Sequence, residues 1–226
     1  MTPQADVNMQ YTKPLLKQEA QIQLMKKQKP KNKDKLRKIK CVIVGDKAVG
    51  KTSLAVSYSN DSFPSVYVPT AYDNYNVVVQ VDGEPVRVEL CDTAGKDELN
   101  PLRSLCYPGA DVFMLCFSVV KPSSYQSACT RWADEVKRLG VPVVLVGTQA
   151  DCKNNPEVLQ RLKRQREVPV SPTHARELAA RLNAPYIETS AKTCCQLKEA
   201  FDMAITIGLR KHIRRKPKWK QLMCCF

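Results

Sequence analysis

From residue 38 onward, short apolar runs alternate along the chain with longer stretches of helical periodicity. The apolar runs predict strands at 41–44, 112–118, 143–146 and 186–188. Two further runs, 77–81 and 86–90, flank Asp82-Gly83, a dipeptide typical of the two-residue turn of an antiparallel hairpin. The predicted helices lie at 50–59, 98–105, 123–138, 173–182 and 196–212.

This alternation predicts an α/β fold. Parallel strands joined by right-handed crossovers give a six-stranded, mostly parallel sheet with one antiparallel edge strand and helices on both faces. A ligand of such a sheet binds at the carboxyl ends of the strands. We divide the chain into an arm at 1–36, a folded domain at 37–208 and a tail at 209–226. The arm is rich in Gln, Lys and Asn without clear periodicity, so we predict that it is disordered.

The net charge of +14 is concentrated in two short segments. Residues 26–40 carry nine Lys or Arg and one Asp, and residues 210–220 carry seven Lys or Arg and no acid. The segments contribute +8 and +7, which leaves the rest of the chain with a charge of −1. A nearly neutral body without a recognition motif argues against a nucleic-acid-binding protein, an alternative that a salt-dependent gel shift would test.

The ten cysteines are predicted to be reduced. Cys41, Cys91 and Cys116 lie inside apolar runs, where cysteine packs as a small core residue. The vicinal pairs at 194–195 and 224–225 lack the second pair or the histidines of a metal site. Without a hydrophobic signal segment or an apolar run of about 18 residues, we expect a reducing compartment and no membrane span.

The segment at 42–54, VIVGDKAVGKTSL, predicts a phosphate-binding loop. An apolar strand ends at Gly45, and Gly50-Lys51-Thr52 opens a helix, so backbone N–H groups can converge on a polyphosphate. The alternative is an ordinary strand-to-helix turn. In the first interpretation Lys51 lies between the β- and γ-phosphates, and Thr52 holds Mg²⁺. The predicted nucleotide-binding residues of this loop are Gly45, Asp46, Ala48, Val49, Gly50, Lys51, Thr52 and Ser53.

Three further segments follow predicted strands. In the first, 92–95 (DTAG), Asp92 can reach Mg²⁺ through water and the Gly95 N–H can meet a γ-phosphate. In the second, 147–151 (GTQAD), the Asp151 carboxylate can accept two N–H bonds from a guanine edge. In the third, 189–192 (TSAK), the Ala191 N–H can donate to guanine O6. In this order, the segments together indicate a guanine nucleotide.

With these motifs, residues 38–210 resemble the Ras superfamily of small GTPases. Within it the Rho family is most similar, because 153–172 occupies the place of the extra helical insert of that family. The segments at 67–75, 90–95 and 115–125 and the terminal Trp-Lys-x-x-x-Cys-Cys-Phe resemble the atypical Wrch/Chp subgroup. The resemblance implies the P-loop small GTPase fold, GTP or GDP and Mg²⁺ as cofactors, and a monomer.

The resemblance also assigns roles to individual positions. Thr70 matches the switch threonine that closes on Mg²⁺ and the γ-phosphate, so the metal ligands are Thr52, Thr70 and, through water, Asp92. Phe63 matches the aromatic residue that packs on the base, although core and loop roles for Phe63 and Thr70 are alternatives. Gln149, Asp151, Ser190, Ala191 and Lys192 match the guanine-binding positions. The predicted effector-binding residues are Tyr67, Pro69, Tyr72, Asp73 and Tyr75.

Two lysines depart from the family pattern. Lys47 stands where the family has glycine, and Lys96, directly after DTAG, stands where it has the glutamine that orients the attacking water. Either lysine could be an uninformative surface residue, but together with Thr70 they occupy the predicted catalytic positions. We therefore expect slow or deficient GTP hydrolysis.

The tail predicts membrane attachment without prenylation. A prenylation box needs Cys four residues from the end, where this chain has Met223. Cys224 and Cys225 follow seven basic residues and Trp219, a combination typical of a palmitoylated anchor on an anionic membrane surface. The alternative is a solvated tail. We expect the cytoplasmic face of the plasma membrane or endomembranes, with a cytosolic fraction.

The favoured function is a Rho-type GTP-binding switch that binds effector proteins when loaded with GTP. The resemblance implies roles in actin organisation and cell shape, with kinases that carry a Rho-binding segment among the effectors. A guanine nucleotide exchange factor is a further expected partner. The alternative is a normally cycling enzyme that hydrolyses GTP to GDP, which single-turnover hydrolysis would distinguish.

Overall fold

The computed structural model describes residues 36–64, 70, 72–95 and 99–215. Residues 1–35 of the predicted arm and the end of the predicted tail lie outside these residues. The predicted site residues outside them are Tyr67, Pro69, Lys96, Cys224 and Cys225.

A six-stranded sheet carries the fold, in the order β2-β3-β1-β4-β5-β6. β2 pairs antiparallel with β3, and every other neighbouring pair is parallel. The predicted α/β architecture with one antiparallel edge strand is therefore confirmed. The strands are β1 (Arg37–Val44), β2 (Tyr72–Val81), β3 (Glu84–Thr93), β4 (Val112–Ser118), β5 (Val143–Thr148) and β6 (Tyr186–Glu188).

Helices connect the strands and cover the sheet. They are α1 (Lys51–Asn60), α2 (Asn100–Ser104), α3 (Pro122–Ser127), α4 (Ala133–Arg138), α5 (Pro156–Arg164), α6 (Pro172–Leu182) and α7 (Leu197–Arg215). A five-residue π-helical segment, Ala128–Trp132, joins α3 to α4, and a 3₁₀ turn, Ala150–Asn154, precedes α5. Asn155 caps α5 by accepting hydrogen bonds from two backbone N–H groups, and Ser171 caps α6 by accepting one.

The predicted hairpin is present, and its strands are longer than the apolar pattern indicated. Asp82 (φ 52°) and Gly83 (φ 78°) both have positive φ, as the two central residues of a type I′ turn require. β2 begins at Tyr72, since the polar residues before 77 pair with β3 as far as Thr93. Backbone pairing therefore extends the strand where side-chain hydrophobicity gives no signal.

Two predicted helices differ from those observed. The helix expected at 123–138 is interrupted by the π-helical segment. The helix expected at 98–105 is shorter, because α2 ends in i→i+3 bonds from Cys106 N to Arg103 O and from Tyr107 N to Ser104 O. Pro108 follows Tyr107 and disfavours a helical conformation there.

Alternate residues of the central strands face two separate hydrophobic clusters. Ile39, Cys41 and Ile43 pack with α1 and α7 on one face, whereas Val42 and Val44 pack with Trp132 and the helices of the other face. Both faces of β1 are therefore packed in the core, which fixes the start of the loop that follows this strand.

Among the described residues, every cysteine is a free thiol. No helix in this part of the chain has both the length and the apolar character of a membrane span.

Candidate functional site

Lys51 lies inside the loop that connects β1 to α1. Its Nζ atom donates hydrogen bonds to Gly45 O and Asp46 O, each at 2.9 Å. Burial lowers the pKa of Lys51, and the nearby Asp92 carboxylate opposes that shift. The loop therefore folds around an ammonium group, which can turn toward a phosphate that enters the loop.

The backbone of this loop leaves no room for a side chain at its first glycine. A Cβ atom on Gly45 would lie 2.1 Å from Cys116 O on β4, and the φ angle of Gly45 is 140°. Thr148 holds the far side of the loop, because its hydroxyl donates to Val49 O. Neighbouring strands β4 and β5 thus fix the loop geometry.

Three oxygen-bearing side chains meet beside Lys51, although they come from distant parts of the chain. Thr52 Oγ1 donates to Asp92 Oδ2 at 2.5 Å and lies 2.7 Å from Thr70 Oγ1. The other carboxylate oxygen, Asp92 Oδ1, is buried and has no hydrogen-bond partner among the described residues. Burial raises the pKa of Asp92, against the effects of Thr52 and Lys51. Hydroxyl and carboxylate oxygens suit Mg²⁺, so these residues fit that ion.

The predicted guanine-binding residues also lie together. Ser190 Oγ donates to Asp151 Oδ1 at 2.7 Å and so orients the carboxylate. Gln149 has a positive φ of 60°, and its Oε1 atom accepts a hydrogen bond from Ser118 Oγ at 2.5 Å. Phe63 is about half exposed at the rim.

Two adjoining cavities contain most of the predicted binding residues, and they share Gly50, Ser53 and Gln149. The residues predicted from sequence in the first cavity are Lys47, Ala48, Gly50, Lys51, Thr52, Ser53, Thr70, Gly95 and Gln149. Those in the second are Gly50, Ser53, Phe63, Gln149, Asp151, Ala191 and Lys192. The first cavity suits phosphates and the second suits a base.

The structure separates the described effector-binding candidates from these cavities. Tyr72, Asp73 and Tyr75 lie in the first half of β2, at the edge of the sheet. Tyr75 Oη donates to Asp73 Oδ2 at 2.8 Å, and Tyr72 is exposed. Tyr72 and Asp73 are therefore exposed at the sheet edge, whereas Tyr75 is half-buried against the hydrophobic core.

Sequence reasoning missed two buried residues that contact the site. The Trp132 indole donates to Asp46 Oδ1 at 2.7 Å, and Arg103 donates to Ala94 O at 3.2 Å. A buried tryptophan N–H requires an acceptor, which was the one available signal for the first contact. No local pattern indicates which acceptor it would find 86 positions away.

Comparisons with known proteins agree with this arrangement. The family model described as Ras family matches residues 40–209. The chain is 47% identical over 203 residues to the Rho-related GTP-binding protein RhoV of Bos taurus, and the match covers 82% of this chain and 86% of the relative. RhoV of Homo sapiens is 46% identical with the same coverage.

Proposed function

The chain belongs to the Rho branch of the Ras family and is a GTP-binding switch, and from this premise we propose that it hydrolyses GTP slowly and rests mainly with GTP bound. The convergence of Thr52, Thr70 and Asp92 beside Lys51 carries the binding part of this assignment. GTP or GDP and Mg²⁺ are the ligands of this family. An active switch further implies effector proteins and an exchange factor.

The chain's own residues supply the phosphate contacts in this proposal. Backbone N–H groups of the loop at 45–52 and the Lys51 ammonium bind the phosphates, and Gly95 lies where its N–H can meet the γ-phosphate. Thr52, Thr70 and Asp92 would hold the Mg²⁺ ion, which neutralises charge on the phosphate oxygens. Asp151, Ala191 and Lys192 would select guanine.

Slow hydrolysis follows from the two lysines. The attacking water must be held by a group that both accepts and donates hydrogen bonds, and an ammonium group only donates. Lys96 lies outside the described residues, so its role rests on its place after DTAG. Lys47 is exposed and lines the phosphate cavity, which supports a crowded and positively charged approach for the arginine of an activating protein.

Single-turnover GTP hydrolysis tests this proposal directly. The double variant Lys47→Gly with Lys96→Gln is expected to reach the rate of an unassisted Ras-type enzyme, on the order of 10⁻⁴ s⁻¹, and to respond to a Rho activating protein. Lys163→Gln, which removes an exposed lysine from α5, is the matched control and should leave the rate unchanged. If the unaltered protein hydrolyses GTP as fast as the double variant, the assignment of slow hydrolysis to the two lysines is wrong.

The nucleotide that copurifies with the protein provides an independent measurement. A slow hydrolase isolated from cells should carry mainly GTP, whereas mainly GDP would contradict the proposal. Effectors are best captured with the GTP-loaded form. We expect kinases with a Rho-binding segment among them, because an added peptide strand can pair with the exposed edge of β2.

Membrane attachment is the remaining part of the proposal. The seven basic residues at 210–220 would attract an anionic leaflet with about 1 kcal/mol each. Such attraction is reversible, so durable attachment needs an acyl chain, for which Cys224 and Cys225 are the candidates. Actin organisation and cell shape are the expected setting of the signal.

A further inference from the structure

Trp132 connects the phosphate-binding loop to the helices on one face of the sheet. Its ring is fully buried and belongs to the π-helical segment, a local geometry that is frequent at functional sites. The indole Nε1–H donates to Asp46 Oδ1 at 2.7 Å. This hydrogen bond restrains the Asp46 side chain within the loop.

The same ring connects to the DTAG segment through Arg103 of α2. The Arg103 guanidinium lies 4.6 Å from the centre of the Trp132 ring, and its Nη1 donates to Ala94 O at 3.2 Å. Glu135 on α4 holds the guanidinium in place, with Oε1 3.3 Å from Arg103 Nε. Arg103 therefore fixes the Ala94 carbonyl relative to the indole ring.

Gly95 and the Asp46–Lys47 peptide are also in direct backbone contact at the phosphate cavity. A Cβ atom added to Gly95 would lie 2.3 Å from Lys47 N and 2.4 Å from the carbonyl carbon of Asp46. Gly95 thus packs against the Asp46–Lys47 peptide with no space for a side chain. The two backbone segments are therefore in contact at Gly95. They are also connected through the side chains of Trp132 and Arg103.

We propose that Trp132 and Arg103 are positioning residues that set the spacing between the Asp46–Lys47 and Ala94–Gly95 peptides and so discriminate GTP from GDP. This inference rests on the proposed function, in which the Gly95 N–H meets the γ-phosphate and the loop that contains Asp46 and Lys47 binds the phosphates. N–H groups of these two peptides that are already in place bind the added negative charge of the γ-phosphate without reorganisation. A diphosphate needs only the loop. Loss of the Trp132 or Arg103 contacts should therefore weaken GTP binding more than GDP binding.

The test compares affinities for GDP and for a non-hydrolysable GTP analogue. Trp132→Phe keeps a ring against Arg103 and removes the N–H donor, so we expect the ratio of triphosphate to diphosphate affinity to fall about tenfold. Asp46→Ala should do the same, whereas Asp46→Asn should retain the ratio because its amide oxygen accepts the bond. Both Asp46 variants remove the charge, so the difference between them isolates the hydrogen bond.

The matched control is Tyr125→Phe. Tyr125 packs beside the same hydrophobic cluster, and its hydroxyl donates to His174 O on α6 at 2.7 Å. Its ratio should equal that of the unaltered protein. A change in that ratio would show that any lost aromatic donor on this face has the effect, and would overturn the assignment.

The double variant Trp132→Phe with Asp46→Ala completes the cycle and should lose no more than either single variant. Additive losses, or equal weakening of GDP and the analogue in Trp132→Phe, would overturn the inference. If Trp132→Phe does not fold, the comparison of Asp46→Ala with Asp46→Asn decides alone. Failure of the proposed slow hydrolysis has another result, because fast single-turnover hydrolysis by the unaltered protein does not change the affinities for GDP and a non-hydrolysable analogue.

Discussion

Asp92 is a residue in which ligand binding and stability have opposite requirements. The carboxylate is fully buried, one oxygen has no hydrogen-bond partner among the described residues, and burial raises its pKa. A raised pKa in the folded state means that ionisation of Asp92 destabilises the ligand-free fold. The bound cation would remove this cost, so the residue favours the loaded protein.

We therefore expect Asp92→Asn to stabilise the nucleotide-free protein and to abolish the stabilisation by Mg²⁺ and nucleotide. Asparagine still accepts from Thr52 without a buried charge, and the gain should be about 1 kcal/mol near pH 7. Asp92 is protonated in both states below about pH 4, so the gain should vanish there and grow as pH rises through the raised pKa. Thermal unfolding from about pH 4 to about pH 8 measures the pH-dependent gain. The same measurement with Mg²⁺ and nucleotide added measures the loss of ligand stabilisation. A gain that does not depend on pH would contradict this account.

Asp151 is a second residue whose chemistry can be tested alone. Because Ser190 orients its carboxylate, Asp151→Asn should weaken GTP and GDP binding at least about tenfold and shift preference toward xanthine nucleotides. The amide presents a donor where guanine needs an acceptor. Competition between guanine and xanthine diphosphates gives the measurement, and Asp134→Asn, exposed on α4, is the control. Unchanged selectivity would remove the 147–151 segment from the base site.

Individual elements show which parts of the fold were predictable. The apolar runs predicted β4 and β5 because strands buried on both faces need apolar residues at nearly every position. They missed the first half of β2, where exposed polar residues are held by backbone pairing to β3. The π-helical segment was also missed, because five residues are too few to separate its periodicity from that of an α-helix.

The same distinction applies to the site. The phosphate loop and the segments at 92–95, 147–151 and 189–192 are local motifs, so their residues could be listed from sequence. The contacts of Trp132 with Asp46 and of Arg103 with the Ala94 carbonyl join distant segments. They depend on helix placement, which no short pattern encodes.

Helix α5 is an element held by few core contacts. Leu162 is its only buried residue, and the Asn155 side chain accepts from Glu157 N and Val158 N at the amino end. Asn155→Ala should cost about 1 kcal/mol locally and speed hydrogen exchange of the α5 amides about fivefold. Asn155→Ser, which can restore the cap, should exchange like the unaltered protein. Equal exchange rates in the alanine and serine variants would show that the cap does not control the helix.

At the scale of the whole molecule, charge lies in the flanks rather than in the nearly neutral body. The basic residues of 210–220 begin within α7 and continue past the described residues. In the proposed membrane attachment, weak electrostatic attraction at this end and stronger attachment by acylation would be separable contributions.

Cys224→Ser with Cys225→Ser is expected to move the protein from membranes to the cytosol, because the basic residues alone bind reversibly. Hydroxylamine-sensitive acyl labelling should disappear in the double variant, and a prenylation inhibitor should have little effect. Cys194→Ser with Cys195→Ser, an exposed vicinal pair in the folded domain, is the control. Membrane localisation that survives the double variant would contradict the acyl anchor, and its loss from the unaltered protein under the inhibitor would identify a prenyl anchor instead.

The strand order has a consequence for synthesis of the chain. β1 lies between β3 and β4 and leads into the phosphate loop. One face of β1 is covered by α7. At about 5–20 residues per second, the ribosome needs roughly 5–20 seconds to extend the chain from the end of β3 to the start of α7. During that interval the nascent sheet presents apolar strands with an open edge, the kind of surface that chaperones bind and that aggregates. Guanine nucleotide can stabilise the fold only after translation is almost complete, so early folding of this switch proceeds without its ligand.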